Sequence, residues 1–232
     1  STGTVQWAVG FEGKIFGGVV GGNAGTVTDC YATGNVVGVS DDGQYATNYV
    51  GGIVGSNDGA MDHCYATGDV FGLDYVGGIA GGPSMSSNGD TPTIQNCAAL
   101  GLTVTAVYEA VQNFGRVCGN GGSLADNMAR GDMLVNENTV TENVGGNAIN
   151  GATVTVGTST YGTVFSETWR GDAWTYPDGI SDASILKNRG LLPTLMGISA
   201  DQIEQKPYLP GTAPVATITK NGETTEYSTL AE

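Results

Sequence analysis

Four cysteines, one histidine, a scatter of aspartates and two Arg-Gly-Asp tripeptides are the residues whose types could do chemistry in this chain. The cysteines stand at 30, 64, 97 and 118, and the histidine is His63. Structural zinc wants four ligands, usually supplied as closely spaced Cys or His pairs. No Cys-x-x-Cys occurs and one histidine cannot complete such a set, so the spacing argues against zinc. A disulfide between neighbouring repeats would suit the Cα separation, but the side chains would point in parallel. The cysteines are therefore read as buried free thiols that pack as small hydrophobes. No Ser-His-Asp or Cys-His nucleophile assembles around His63. The metalloprotease signature His-Glu-x-x-His is absent.

Paired carboxylates are the next candidates, because glycosidases need two at a defined separation. Asp41, Asp42, Asp58, Asp62, Asp69 and Asp74 are available. All fall in glycine-rich turns, where Asp serves the backbone. Stacked acidic turns could also offer oxygen ligands to calcium. The signal is weak, since neither a calcium nonapeptide nor an EF-hand loop is present, and no other cofactor is indicated. The tripeptides Arg130-Gly131-Asp132 and Arg170-Gly171-Asp172 match an integrin-binding string. The first has an internal control: the same register reads Thr33-Gly34-Asn35 and Thr67-Gly68-Asp69 elsewhere. Gly-Asp is thus a recurring turn there, and only the arginine is new. Arg170, Gly171 and Asp172 lie between Trp169 and Trp174 and stay open as an adhesion tripeptide.

The elements that position these residues repeat. "VGGIVG" (50–55) recurs as "FGGVVG" (16–21), "VGGIAG" (76–81) and "FGRVCG" (114–119). "CYATG" (64–68) recurs as "CYATG" (30–34), "CAALG" (97–101) and "NMARG" (127–131), each following its partner. Read in register, Val19, Ile53, Ile79 and Val117 form one apolar column; Val20, Val54, Ala80 and Cys118 form the next. Val27, Met61, Ile94 and Leu124 follow, then Ala32, Ala66, Ala99 and Ala129. Asp29, His63, Asn96 and Asp126 make a wholly polar column. The inward positions 27, 30 and 32 break strict alternation, which predicts a corner near 28–29. Short β-rich runs between glycine pairs, stacked so that like residues meet, predict an all-β parallel β-solenoid of four to five rungs. No helix-length apolar period separates the runs, so a Rossmann-like fold is excluded.

Composition agrees. The chain has 232 residues with 39 glycines, 40% apolar residues and a net charge of −15. Low charge density and high apolar content exclude disorder. A surface this acidic disfavours nucleic acid and anionic membranes. No apolar run approaches a membrane span, so membrane insertion is not expected, and no signal peptide is seen. "STGTVQW" at the start and the stop at Glu232 read as the limits of an excised fragment, expected to be monomeric.

"YVGGIVGSNDGAMDHCYATGDVFG" (49–72) and "GGVVGGNAGTVTDCYATGNVVG" (17–38) resemble the GLUG motif, a short repeat of bacterial surface proteins. The third and fourth units match in outline and "VGGNAINGATVTVG" (144–157) faintly. The resemblance implies a secreted or wall-attached multidomain protein, often adhesive. The motif also accompanies the protease domain of some immunoglobulin-A-cleaving metallopeptidases and carries no known catalytic residues.

Three regions are expected: solenoid repeats over 1–158, a non-repetitive C-terminal cap over 159–206, and a linker with the start of a further β module over 207–232. Trp169, Trp174, Tyr176 and Leu195 are candidates to close the end of the stack. "SDASILKNRG" (181–190) reads as a short helix, and Asn221-Gly222 as the turn of a hairpin. Two insertions, 40–48 and 82–92, should project as loops. Asp41, Asp42, Tyr45, Ser84, Ser86, Asn88 and Asp90 are their candidate ligand contacts. The expected role is a non-catalytic extracellular repeat module that binds a host or matrix protein or a glycan. A polysaccharide-active β-helix enzyme and a plain structural stalk are the alternatives.

Overall fold

A computed structural model describes residues 5–6, 15–38, 48–83, 91–108, 113–155, 173–175, 192–196, 208–210, 216–220 and 223–227. The chain divides into two compact units, Ser1–Val156 and Gly157–Glu232. Among the described residues the first unit is a parallel β-solenoid, and no helix is long and apolar enough to cross a membrane.

Each coil meets five sides in turn. Side 1 stacks Ile15–Gly17, Tyr49–Gly51, Val76–Gly77 and Phe114–Gly115. Side 2 stacks Val20–Asn23, Val54–Asn57 and Ala80–Gly82. Side 3 stacks Thr26–Thr28, Ala60–Asp62, Thr93–Gln95 and Ser123–Ala125. Side 4 stacks Tyr31–Ala32, Tyr65–Ala66, Ala98–Ala99, Met128–Arg130 and Ala152–Val154. Side 5 stacks Val5–Gln6, Val36–Val37, Val70–Gly72, Thr103–Ala106 and Leu134–Val135, and ends on the antiparallel strand Asn138–Thr139.

Every predicted apolar column is present in register: Val27, Met61, Ile94 and Leu124 are successive partners, as are Ala32, Ala66, Ala99 and Ala129. Ile53, Ile79 and Val117 are wholly buried, while Val19 at the first described coil is 40% exposed. Each such residue removed from water contributes roughly 1.5–3 kcal/mol, so the interior columns carry the fold. The polar column is the expected corner. Asp29, His63, Asn96 and Asp126 all have φ between 50° and 52°. This left-handed region costs a residue with a Cβ, and Asn, Asp and His tolerate it best.

The glycine pairs have a specific cause. Sides 1 and 2 fold back on each other so closely that a Cβ on Gly51 or Gly77 would overlap the carbonyl oxygen of Val54 or Ala80. A Cβ on Gly52 would lie 2.8 Å from Cβ of Ala66, across the interior on side 4. The glycines are therefore packing residues, and the side 1–side 2 turn is an inward wedge pressed on the alanine column.

The rung count is lower than expected. Three coils, 15–38, 49–72 and 76–106, supply strands to every side, so the solenoid makes about three full turns. The fourth coil keeps only an isolated bridge, Ala80 to Cys118, on side 2. Gly121 and Gly122, with φ of 68° and 87°, lead the chain off that side. A fifth layer is short-circuited. Ile149 takes the amides of Val117 and Cys118 as Ile53 takes those of Val19 and Val20, and three residues later Ala152 is already on side 4.

In the second unit Trp174–Thr175 pairs antiparallel with Thr194–Leu195. Ala216–Lys220 pairs with Glu223–Tyr227, Lys220 opposite Glu223, which leaves the two-residue connection expected of the hairpin. The helix expected at 181–190 lies outside the described residues.

Candidate functional site

The insertion residues Asp41, Asp42, Tyr45, Ser84, Ser86, Asn88 and Asp90 all lie outside the described residues, as do Arg170, Gly171 and Asp172. The first tripeptide is described, and it is closed on itself. Arg130 is 5% exposed and grips Asp132 with Nε and Nη2, the latter at 2.8 Å from Oδ2. That bond holds the Asp132 carboxyl below the usual carboxylate range. Three other carboxylates brace turns. Asp69 accepts the amides of Leu102 and Thr103 on the next coil. Asp74 accepts that of Tyr75, and Asp62 accepts from Asn96 Nδ2 and faces His63 Nδ1 at 2.9 Å. Among the described residues no three His, Cys, Asp or Glu side chains converge as a metal site.

The cysteines are free thiols; 64, 97 and 118 are buried and Cys30 is half-buried. Their role exceeds filling space. Cys30, Cys64 and Cys97 each donate, at 3.2 Å, to the carbonyl two residues earlier, just before the left-handed corner. The thiols also meet one another along the stack. The bond from Cys64, and then burial, raises the Cys30 thiol far above its ordinary range. The Cys30 bond pulls Cys64 the other way, but Cys97 and burial outweigh it and Cys64 too is raised. Burial pushes Cys118 up to about 12. Asn127 ends the ladder in the fourth coil, where it accepts the amide of Cys97 and donates to the Ile94 carbonyl at 2.7 Å. Burial and a raised thiol together disfavour the thiolate, the nucleophilic form, at Cys64 and Cys118.

A cleft of about 460 Å³ lies where the repeat gives out. One wall is the hairpin Leu134–Val135/Asn138–Thr139. Its two turn residues, Asn136 and Glu137, have φ of 47° and 65°, as a tight hairpin whose twist matches its strands requires. The opposite wall is the segment 140–150, fastened by Asn150 Nδ2 donating to the Glu142 carbonyl at 2.9 Å. Phe114, Val135, Val140 and Ile149 supply apolar lining. Asn136, Asn138, Thr139, Thr141, Glu142 and Asn143 supply polar groups. One carboxylate and no lysine or arginine belong to this lining. Asn136 Oδ1 accepts the Ala106 amide, while its enclosed Nδ2 has no acceptor among the described residues.

Behind Asn150 lies a buried cation. Arg116 is fully buried and stands where the other coils have Gly18, Gly52 and Gly78. Its guanidinium donates to the carbonyls of Asn150, Arg130 and Gly151 and to Thr153 Oγ1, at 2.9–3.2 Å. Burial lowers its proton affinity. The shortened fifth layer makes room for this side chain, and the guanidinium in turn takes the Asn150 and Gly151 carbonyls of that layer and the Arg130 carbonyl of the fourth coil.

Sequence reasoning did not find the cleft. The available signal was "VNENTVTEN" (135–143), three asparagines in a run that departs from the repeat.

Two stretches, 13–37 and 46–70, match the family model described as the GLUG motif. A protein from Bacteroides ovatus, provisionally named an immunoglobulin A1 protease, has a crystal structure similar to this chain at 23% identity and a TM-score of 0.40. The match covers 66% of this chain and 56% of that one. Among curated proteins none matches the chain.

Proposed function

We propose, from the premise that this chain carries GLUG motifs wound into a parallel β-solenoid, that it is a non-catalytic extracellular repeat module which holds a ligand for adhesion. The observation that carries the reading is the cleft with apolar and amide lining at the end of the repeat. Pockets for small ligands combine an apolar lining with a few placed polar groups, in volumes of about 300–1,000 Å³. A rigid stack of hydrogen-bonded coils suits such a site, because its walls are fixed before the ligand arrives. Ligands of the expected classes are a host or matrix protein or a glycan. Calcium enters only as a variable of the assay.

A polysaccharide-cleaving β-helix is the rival from another class. Its chemistry needs two carboxyls flanking the scissile bond, about 5–9.5 Å apart. Glu142 is the single carboxylate of the cleft, and Asp62, Asp69 and Asp74 are engaged in turns. That distribution favours recognition over cleavage.

The test is an array of glycans and matrix proteins probed with the chain, with and without calcium. Specific capture, weakened by substitutions in the cleft or by deletion of 82–92, supports the module. Capture of nothing by the intact chain leaves a structural stalk. Release of reducing ends from a polysaccharide would overturn the non-catalytic reading.

A further inference from the structure

The cleft's chemistry points to one ligand class, and the inference rests on the binding-module reading above. We infer that the cleft between the 134–139 hairpin and the 140–150 segment takes a neutral, hydroxyl-rich sugar unit of one or two rings. A pyranose ring has C–H groups on its faces and hydroxyls around its edge. The lining offers the counterpart of each. Phe114 is among the lining residues, and an aromatic ring's electron-rich face attracts polarised C–H groups. Asn138, Thr141 and Asn143 are exposed; Asn138 Nδ2 also donates to the Asn136 carbonyl at 2.6 Å, and amide and hydroxyl groups of this kind both donate and accept. A sugar hydroxyl, which also does both, pairs with such groups at either end.

Charge narrows the class. The lining holds one carboxylate and no cation, and the whole chain carries −15. A sulfated, phosphorylated or sialylated ligand would meet repulsion with nothing to neutralise it. A strongly basic ligand would find a single counter-charge, Glu142. The neutral rim therefore selects by hydrogen bonding and shape. Asn136 Nδ2 lies enclosed at the wall without an acceptor among the described residues.

The cleft's position strengthens the assignment. Elsewhere in the solenoid the carboxylates and amides of corner residues are consumed by the next coil, as with Asn35 on the Asp69 amide and Asp69 on Leu102 and Thr103. Among the described residues no further coil stacks on side 5 at the hairpin, and Asn138–Thr139 is the last strand of that sheet. Asn138 Nδ2 still serves the hairpin turn by donating to the Asn136 carbonyl, while Thr141 and Asn143 brace no further coil among the described residues.

The experiment titrates the whole chain by calorimetry with neutral oligosaccharides ending in galactose, mannose or N-acetylglucosamine, and with sialylated and sulfated counterparts. A neutral oligosaccharide is expected to bind, and its charged counterpart to bind at least tenfold more weakly. The double variant Thr139→Ala/Thr141→Ala should lose at least tenfold in affinity with an unchanged melting temperature. Val19→Ser, exposed on the first described coil, should bind as the parent does. Neutral-sugar binding that survives the double variant overturns the cleft assignment. Preference for the charged sugars overturns the ligand class. Capture of a matrix protein or peptide with no sugar bound overturns this inference and leaves the binding module standing; no capture of either overturns both.

Discussion

Arg116 and Asn150 bind each other twice: the Arg116 amide donates to Asn150 Oδ1, and Arg116 Nε donates to the Asn150 carbonyl, both at 2.9 Å. A backbone and a side chain from adjacent layers are locked in one ring of bonds at the place where the repeat ends. The guanidinium has no described carboxylate partner, so its desolvation is offset by carbonyl dipoles and Thr153.

Replacing this cation should therefore cost more than a surface arginine. Arg116→Met keeps the bulk and orphans three buried carbonyls. The expected loss is about 2–4 kcal/mol, read as a fall in the urea midpoint with little change in slope. Asn150→Ala should be costly too, and the double variant should be less than additive, since both remove the same ring of bonds. A midpoint within error of the parent would show that the plug does not hold the end of the stack.

The glycines should divide sharply by position. Gly51→Ala drives a Cβ into the Val54 carbonyl and lies 2.7 Å from Cα of Ala80, and no backbone shift relieves both. It should cost about 3 kcal/mol or more, or prevent folding. Gly22→Ala, one residue past the motif in the neighbouring coil and opposite Ser56, meets nothing within 4 Å. It should change stability by less than about 0.5 kcal/mol. Thermal melts of the two variants compare them, and equal effects would discard the back-to-back packing of sides 1 and 2.

The thiols make an alkaline prediction. Burial raises Cys118 from 9.0 to about 12, so the folded state holds its proton while the unfolded state releases one above pH 9. Stability is then complete below pH 9 and falls between pH 9 and 12, by at most about 1.4 kcal/mol per pH unit per thiol. Cys118→Ala should flatten that fall, and Cys64 shares its direction. In native protein at pH 8 a thiol reagent should reach Cys30 first and Cys64, Cys97 and Cys118 only with unfolding. Rapid labelling of all four would contradict the enclosed ladder. The double variant Cys64→Ala/Cys97→Ala should melt lower, by about 1–2 kcal/mol per cavity.

The two Arg-Gly-Asp copies should behave differently. Arg130 is spent on Asp132, so Asp132→Glu should leave any integrin-dependent cell attachment untouched. Attachment, if it occurs, should be lost with Asp172→Glu. The fork also has an acid signature. Asp132's depressed carboxyl contributes stability above the usual carboxylate range that is lost as pH falls through its folded value. Asp132 is 57% exposed on its side chain, so the contribution stays below about 1 kcal/mol. Urea midpoints of Asp132→Asn and the parent at pH 7 and pH 3 measure it.

The solenoid could be read from the letters because stacking in register converts a spatial neighbour into a residue of the same kind one repeat away. Ala32, Ala66, Ala99 and Ala129 are neighbours for that reason, and the corner at Asp29, His63, Asn96 and Asp126 could be read from residue types that accept a left-handed backbone. The glycine pairs were legible as repeats and opaque as packing. A glycine demanded by a turn and one demanded by a close approach look alike in sequence, and only the position of Val54 opposite Gly51 separates them. The cysteines read as small hydrophobes, but their bonds to corner carbonyls depend on a side-chain direction that no composition reveals.

By itself the sequence determined the stacked interior, its columns and its corners, because those depend on repetition and repetition is written along the chain. The tertiary structure alone decided where the stack stops being regular. The short cut from Ile149 to Ala152, the arginine that fills it and the cleft beside it join residues 114, 116, 134–143 and 149–153. Those stretches have no repeat partners to announce their meeting. Their contact follows from chain closure at one end of the coil, a three-dimensional event with no period.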